Sequence, residues 1–255
     1  KGARFQTTSD TEVLLAAWER WGPGCLSRLD GMFAFGLWDG EKLWLAKDRW
    51  GKCPLAVAES GAVGGMAFAS EITPLRRLTG MTPRELGPAA LEAWRPAPPR
   101  RVVRRRWWSL PEKLPVRHVS VRTAAREVAR RLEAGVKART ISDVPVCTLL
   151  SGGMDSFAIA WFAKRYMPDL TAFTAYRDER SLEYRLSREA AKVLGIRLVG
   201  VKVDLQRRSL AGVRAALADA MSHAELKTKA QMEIAVACRV LARRIRQEGF
   251  KVVFS

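Results

Sequence analysis

The sequence predicts an α/β protein: a parallel sheet with helices on both faces in the C-terminal half, preceded by an antiparallel α+β part. Three observations predict it. Beyond residue 118, short apolar runs alternate with helix-length amphipathic segments, the rhythm of strand–helix–strand units. Those runs are apolar at successive positions, as expected of strands buried on both faces. Before residue 95, strands come instead in pairs joined by Gly-containing turns, which suits hairpins.

Thr11–Trp21 has helical apolar periodicity, with Ser9 or Asp10 as its cap. Met32–Trp38 and Leu43–Ala46 read as strands around a turn at Asp39-Gly40. Pro54–Ala58 and Met66–Ser70 form a second pair joined through Gly61, Gly64 and Gly65. From Arg95 to Pro115 five prolines interrupt the chain, and proline fits neither a helix interior nor a central strand. That stretch reads as a connector. After it, Thr123–Arg139 is a helix, Val144–Leu150 a strand, and Ser156–Tyr166 a helix. Leu170–Tyr176 is a strand, Glu183–Leu194 a helix closed by Gly195, and Arg197–Val203 a strand. Helices follow near Ser209–Met221 and Gln231–Glu248, then the apolar run Phe250–Phe254.

Composition narrows the function classes. With 48% hydrophobic and 27% charged residues, a packed core is attainable and global disorder is excluded. No apolar run approaches the ~20 residues of a bilayer-spanning helix. Cys25, Cys53, Cys147 and Cys238 are scattered without a CxxC pair, which argues against a disulfide scaffold or zinc module and favours a reducing, cytoplasmic setting. The net charge of +18 invites a nucleic-acid reading. Yet 32 of the 44 basic residues are Arg, spread along helices with one dense cluster at Arg100–Arg106. The charge therefore reads as compositional, and nucleic acid is not an expected partner.

The chemistry concentrates at Leu149-Leu150-Ser151-Gly152-Gly153-Met154-Asp155-Ser156, between a buried strand and a helix. A helix start presents free backbone N–H groups and partial positive charge, which suit a phosphate. Gly152 and Gly153 allow close backbone approach and positive φ. Ser151 and Ser156 add hydroxyls, and Asp155 is a hard oxygen ligand suited to Mg²⁺. The loop lacks both the Walker Gly-Lys-Ser/Thr ending and GxGxxG. Arg177 and Arg180 follow the next strand, at the same end of the sheet.

Ser-Gly-Gly-Met-Asp-Ser resembles the pyrophosphate loop of ATP pyrophosphatases, and the longer Arg139–Ser156 segment resembles asparagine synthetase. Ser9–Glu12, Leu29–Phe35, Leu45–Arg49 and Phe68–Ile72 resemble that family's glutaminase domain, and Arg106–Leu110 its segment after the domain connector. The resemblance implies a partial glutamine amidotransferase of the N-terminal-nucleophile sandwich type over 1–94, a connector over 95–117, and an adenine-nucleotide α-hydrolase-like ATP-binding domain over 118–255. It implies a ligase that adenylates a carboxylate, that of aspartate above all. Glutamine-derived ammonia then displaces AMP to give asparagine.

The implied cofactors are ATP and Mg²⁺. The implied ATP-binding residues are Leu150, Ser151, Gly152, Gly153, Asp155, Ser156, Ala175 and Ser255, with Asp155 also the metal ligand. Asp155 is also the implied catalytic residue and Asp10 the implied glutamine-binding one, while Glu225 and Lys229, just ahead of the last long helix, are candidate catalytic residues. The implied partners are small-molecule substrates, with no membrane and with a homodimer as the assembly. The family's nucleophilic Cys has no counterpart, since residue 1 is Lys, and its acidic loop would follow Ser255. The match is thus expected to begin inside one domain and to end inside the other. Gln231-Met232-Glu233 departs from the family's pattern ahead of the last helix. That leaves open other acceptors, as in β-lactam synthetases or peptide cyclases. A basic tRNA-associated ATP pyrophosphatase is the alternative of another class.

Overall fold

The computed structural model describes residues 4–60, 65–96, 99–114, 116, 118–203, 210–223 and 229–254. The chain divides into two compact units, Lys1–Pro115 and Val116–Ser255.

In the first unit Ser9 opens α1 (Asp10–Trp21) by accepting a hydrogen bond from Thr11 N–H at 3.2 Å, and Gly22, at φ 53°, ends it. Strands β1 (Ala34–Trp38) and β2 (Leu43–Lys47) pair antiparallel around Asp39, whose carboxylate accepts from the N–H groups of Glu41 and Lys42. Strands β3 (Ala56–Ser60) and β4 (Gly65–Ala69) pair likewise. Helix α2 (Ile72–Thr79), strand β5 (Arg84–Glu85) and the hairpin β6 (Ala90–Pro96) and β7 (Pro99–Arg106) complete two antiparallel sheets, β1-β2-β6-β7 and β4-β3-β5.

Alternation along the strands stacks these sheets. Ala46 and Leu91 pack on Ala17 and Trp18 of α1, whereas Leu45 and Trp94 point the other way, onto Val57 and Leu86. Ala56 and Ala58 then face Leu75 of α2. The result is a four-layer helix–sheet–sheet–helix sandwich.

The stretch expected to be a connector from residue 95 instead carries the end of β6 and the whole of β7. Proline is tolerated there because β7 is an edge strand and Pro99 is its first residue. Its arginines have two structural jobs. Arg101 donates to Glu59 at 3.0 Å, Arg84 donates to both Glu59 (3.1 Å) and Glu92 (2.6 Å), and Arg104 lies 3.7 Å from Glu92. This network joins one sheet to the other. The exposed Arg100, Arg105 and Arg106 put charge along an edge that would otherwise template strand addition. Replacing these three with Ala should leave any weak affinity for labelled tRNA at physiological salt unchanged. A log–log salt slope near one unit per phosphate, lost in that variant, would reverse this reading.

Trp107 packs inside the first unit, its Nε1 donating to the Lys47 carbonyl at 2.8 Å and its ring stacked on Phe33.

Asp48, 1% exposed, organises the following turn. Its carboxylate accepts from the N–H groups of Trp50 (3.0 Å), Lys52 (3.1 Å), Cys53 (3.2 Å) and Phe33 (3.2 Å). Burial pushes this carboxyl up, but the four N–H donors outweigh burial and hold it below its ordinary value. A group depressed in the folded state stabilises above its unfolded pKa, about 4, and loses that contribution as pH falls through the folded value. Asp48→Asn should lower unfolding free energy by about 2 kcal/mol at neutral pH. It should also flatten the acid limb of stability against pH. An unchanged acid limb in urea titrations would contradict this account.

The second unit opens with α3 (Val121–Lys137), capped by Ser120, and continues through β8 (Val146–Leu149), α4 (Met154–Tyr166), β9 (Thr171–Tyr176), α5 (Leu182–Leu194) and β10 (Arg197–Lys202). Helices α6 (Leu210–His223) and α7 (Lys229–Gln247) lead to β11 (Val252–Phe254). All pairings are parallel, in the order β10-β9-β8-β11. Leu150 and Ala172 pack with Ala160 of α4 and Ala191 of α5, while Cys147 and Phe173 pack on Leu241 and Ile245 of α7. Both faces are therefore covered, as the continuous apolar runs predicted.

Candidate nucleotide site

The strand order places the loop. The chain runs outward from β8 through β9 to β10, then crosses to β11 on the other side of β8. The topological switch point lies between β8 and β11, and ligands of open parallel sheets bind at the carboxyl ends there. Residues 150–153 leave β8 at that point.

Local geometry shapes the loop for an anion. Leu150 is fully buried, and its N–H donates to the Phe173 carbonyl at 2.9 Å, which anchors the loop to β9. Gly152 adopts φ +81°. Helix α4 starts at Met154, two residues earlier than expected, so Asp155 and Ser156 both lie in its first turn. Its N-cap is Gly153, which has no side chain to bond the first N–H groups. Ser156 closes the loop on itself: its Oγ accepts from Ser151 N–H at 3.2 Å, meets Ser151 Oγ at 3.0 Å, and donates to the Gly153 carbonyl at 3.0 Å. Ser151, Gly153 and Asp155 are exposed. Asp155 makes no hydrogen bond or ion pair with the described residues, so its carboxylate is available to a cation at the mouth of the loop.

Ala175, near the end of β9, is exposed at the same end of the sheet, and so are Arg177 and Arg180. Glu225 and Ser255 lie outside the described residues, and of Lys229 only the backbone at the start of α7 is described. The structure therefore brings together Leu150, Ser151, Gly152, Gly153, Asp155 and Ser156, with Ala175 at the same end of the sheet. Among the described residues no group of three His, Cys, Asp or Glu side chains is placed to hold a metal.

Sequence reasoning missed the support beneath the loop. A Cβ at Gly152 would lie 2.6 Å from the Glu183 carbonyl oxygen and 3.0 Å from Leu186 Cβ, so the loop rests on α5. No local signal marks Glu183 or Leu186 for this role, because the contact joins segments about thirty residues apart.

In the first unit, Asp10 lines a cavity of about 660 Å³ together with Leu14, Asp30, Phe33, Phe35 and Cys53. Burial, followed by the neighbouring Asp48, raises the Cys53 thiol above its ordinary value, so it is not an activated nucleophile. Cys25 is fully buried in the core beneath α1, a packed thiol. All four cysteines are free. No described helix is long and apolar enough to cross a membrane.

Fold and site define a class: a parallel α/β unit with a glycine-rich strand-to-helix loop at its switch point, in one chain with a four-layer sandwich. Residues 127–255 match the asparagine synthase family and residues 1–103 match the glutamine amidotransferase domain. The chain belongs to the asparagine synthase family.

Among curated relatives, it is 31% identical over 201 residues to asparagine synthetase [glutamine-hydrolyzing] 3 of Bacillus subtilis, covering 64% of this chain and 30% of that one. A putative asparagine synthetase of Mycobacterium tuberculosis H37Rv is 35% identical over 236 residues, 80% of this chain and 36% of its own. Asparagine synthetase B of Escherichia coli K12 is 29% identical over 274 aligned positions, 99% of this chain and 46% of its own. The chain thus spans between 30% and 46% of the length of these relatives.

Proposed function

We propose that this chain is part of a glutamine-dependent, asparagine-forming ligase, and that Ser151–Ser156 hold the phosphates of ATP. The observation that carries the proposal is the anion-ready loop at the β8/β11 switch point of a chain in the asparagine synthase family.

In this reading the N–H groups at the start of α4 and the hydroxyls of Ser151 and Ser156 bind the β- and γ-phosphates. Asp155 would hold Mg²⁺, which neutralises charge on those phosphates when bound. A carboxylate of the acceptor, aspartate by resemblance, attacks the α-phosphorus; the acyl–AMP bond forms as the α–β phosphoanhydride bond breaks, releasing pyrophosphate. Ammonia then attacks the acyl carbon and AMP leaves, giving the amide. Leu150, anchored to β9, and Ala175 border the nucleotide. Glu225 and Lys229 are candidates for the acceptor side, and Ser255 is assigned to the nucleotide side by resemblance.

In the first unit the Asp10 carboxylate suits the α-ammonium group of glutamine in the cavity it lines. A cytoplasmic setting fits the four free thiols. A homodimer is the assembly proposed for the intact protein, testable by light scattering.

Chromatography of nucleotide products from the intact protein, supplied with ATP, Mg²⁺, aspartate and glutamine, tests the reaction. AMP and pyrophosphate are expected, and ADP would reject the assignment. Asp155→Ala should reduce AMP formation at least about a hundredfold with the fold unchanged by circular dichroism. Wild-type AMP release in that variant would remove Asp155 from the site.

A further inference from the structure

Helix α5 is more than a cover for the sheet: we infer that its first two turns position the phosphate loop, through Ser187 and the Tyr176–Tyr184 stack. The inference rests on the ATP-site reading above.

The loop lies directly on α5. A Cβ at Gly152 would meet the Glu183 carbonyl oxygen at 2.6 Å, Leu186 Cβ at 3.0 Å and Ser187 N at 3.2 Å, so Gly152 sits close against the helix. Any shift of these turns moves the surface on which the loop rests.

Two side-chain pairs hold the turns to β9. Ser187, fully buried, donates through Oγ to the Glu183 carbonyl at 2.8 Å, the same carbonyl that Gly152 faces. Its Oγ also lies 3.4 Å from Thr174 Oγ1, itself 5% exposed. Two residues along the strand, on the same face, Tyr176 stacks on Tyr184 with ring centroids 4.0 Å apart and planes 19° from parallel.

The stack needs room on β10, and Gly200 supplies it. A Cβ there would lie 2.5 Å from Tyr184 Oη and 3.0 Å from Tyr176 Cε1. Gly200 has no positive φ that would call for glycine on backbone grounds. Its missing side chain therefore answers to the tyrosines. Thr174, Tyr176, Tyr184, Ser187 and Gly200 form one support reaching from β10 to Gly152. They are positioning residues and touch no reacting atom.

Calorimetric titration of the protein with Mg²⁺-ATP tests the inference. Gly200→Ala, which displaces the tyrosines, should weaken binding at least about tenfold, given that ångström-scale misplacement at a site costs up to a hundredfold. Tyr184→Phe removes the oxygen that the new Cβ meets and keeps the ring. Alone it should leave affinity within about twofold, and combined with Gly200→Ala it should recover part of the loss. Leu194→Ala, which loosens the far end of the same helix in a core cluster that holds none of the five support residues, should lower the melting temperature and leave ATP affinity unchanged. Should Gly200→Ala fail to fold, Ser187→Ala decides, with a loss of about threefold or more expected.

Wild-type affinity in Gly200→Ala, or in Ser187→Ala where that variant decides, would overturn the inference while leaving the ATP site standing. So would a loss in Leu194→Ala as large as that in Gly200→Ala. A wild-type protein that binds no ATP would instead reject the functional reading itself.

Discussion

Gly152→Ala should weaken ATP binding by up to about a hundredfold, whereas the neighbouring Gly153→Ala should be far milder. Gly152 sits at φ +81°, where an L-residue is strained by roughly 1–2 kcal/mol. Its new methyl group would meet the Glu183 carbonyl at 2.6 Å, and a backbone carbonyl cannot rotate aside as a side chain would. The loop must move, and an ångström of displacement at a phosphate site costs up to about a hundredfold. Gly153 has extended backbone, φ −84° and ψ 159°, and its nearest obstacle is Ser151 Oγ at 3.5 Å, an ordinary contact. The two variants, compared by ATP affinity and AMP formation, separate backbone conformation from mere loss of glycine. Equal losses in both would mean that the loop does not take this shape.

The second large effect is on stability. Arg84→Met should destabilise the first unit by about 3 kcal/mol, because it strips the main partner from a buried carboxylate. Glu92 is 2% exposed, and its 2.6 Å bond to Arg84 is much shorter than the 3.7 Å approach of Arg104. Adding Glu92→Met should restore most of the loss, since an apolar side chain of similar length needs no counter-charge there. Eight of the nine tryptophans lie in the first unit, so urea unfolding followed by Trp fluorescence reports on it. If the single variant unfolds at the wild-type midpoint, the network between the sheets contributes nothing. If the double variant is no better than the single, Glu92 is not the group left uncompensated.

Much of this was legible because its determinants are local. Strand–helix alternation after residue 118 specified a parallel α/β unit, and Ser-Gly-Gly-Met-Asp-Ser carried its own strand-to-helix context. The hairpins of the first unit were readable from paired apolar runs, and Gly195 was readable as the terminator of α5. Helix α2 and strands β5, β6 and β7 were not. A two-residue strand has no periodicity, and β7 holds one proline and five arginines around Val102 and Val103, so its strand character comes from pairing with β6.

The sequence by itself therefore determined the order of elements in the second unit, its covered parallel sheet and the glycine-rich strand-to-helix loop proposed to hold phosphates. Each of these depends on side-chain spacing within one segment. Only the tertiary structure decided the rest. It placed the loop at the β8/β11 switch point, set the arginines of 100–106 to clamping two sheets and guarding an edge, and ranked Gly152 above Gly153. The physical reason is the same in each case. These properties belong to contacts between segments tens of residues apart, such as Gly152 against Glu183 or Arg101 against Glu59. Neither partner's neighbourhood in the chain encodes what lies opposite it, so only the packing of whole elements brings those partners together.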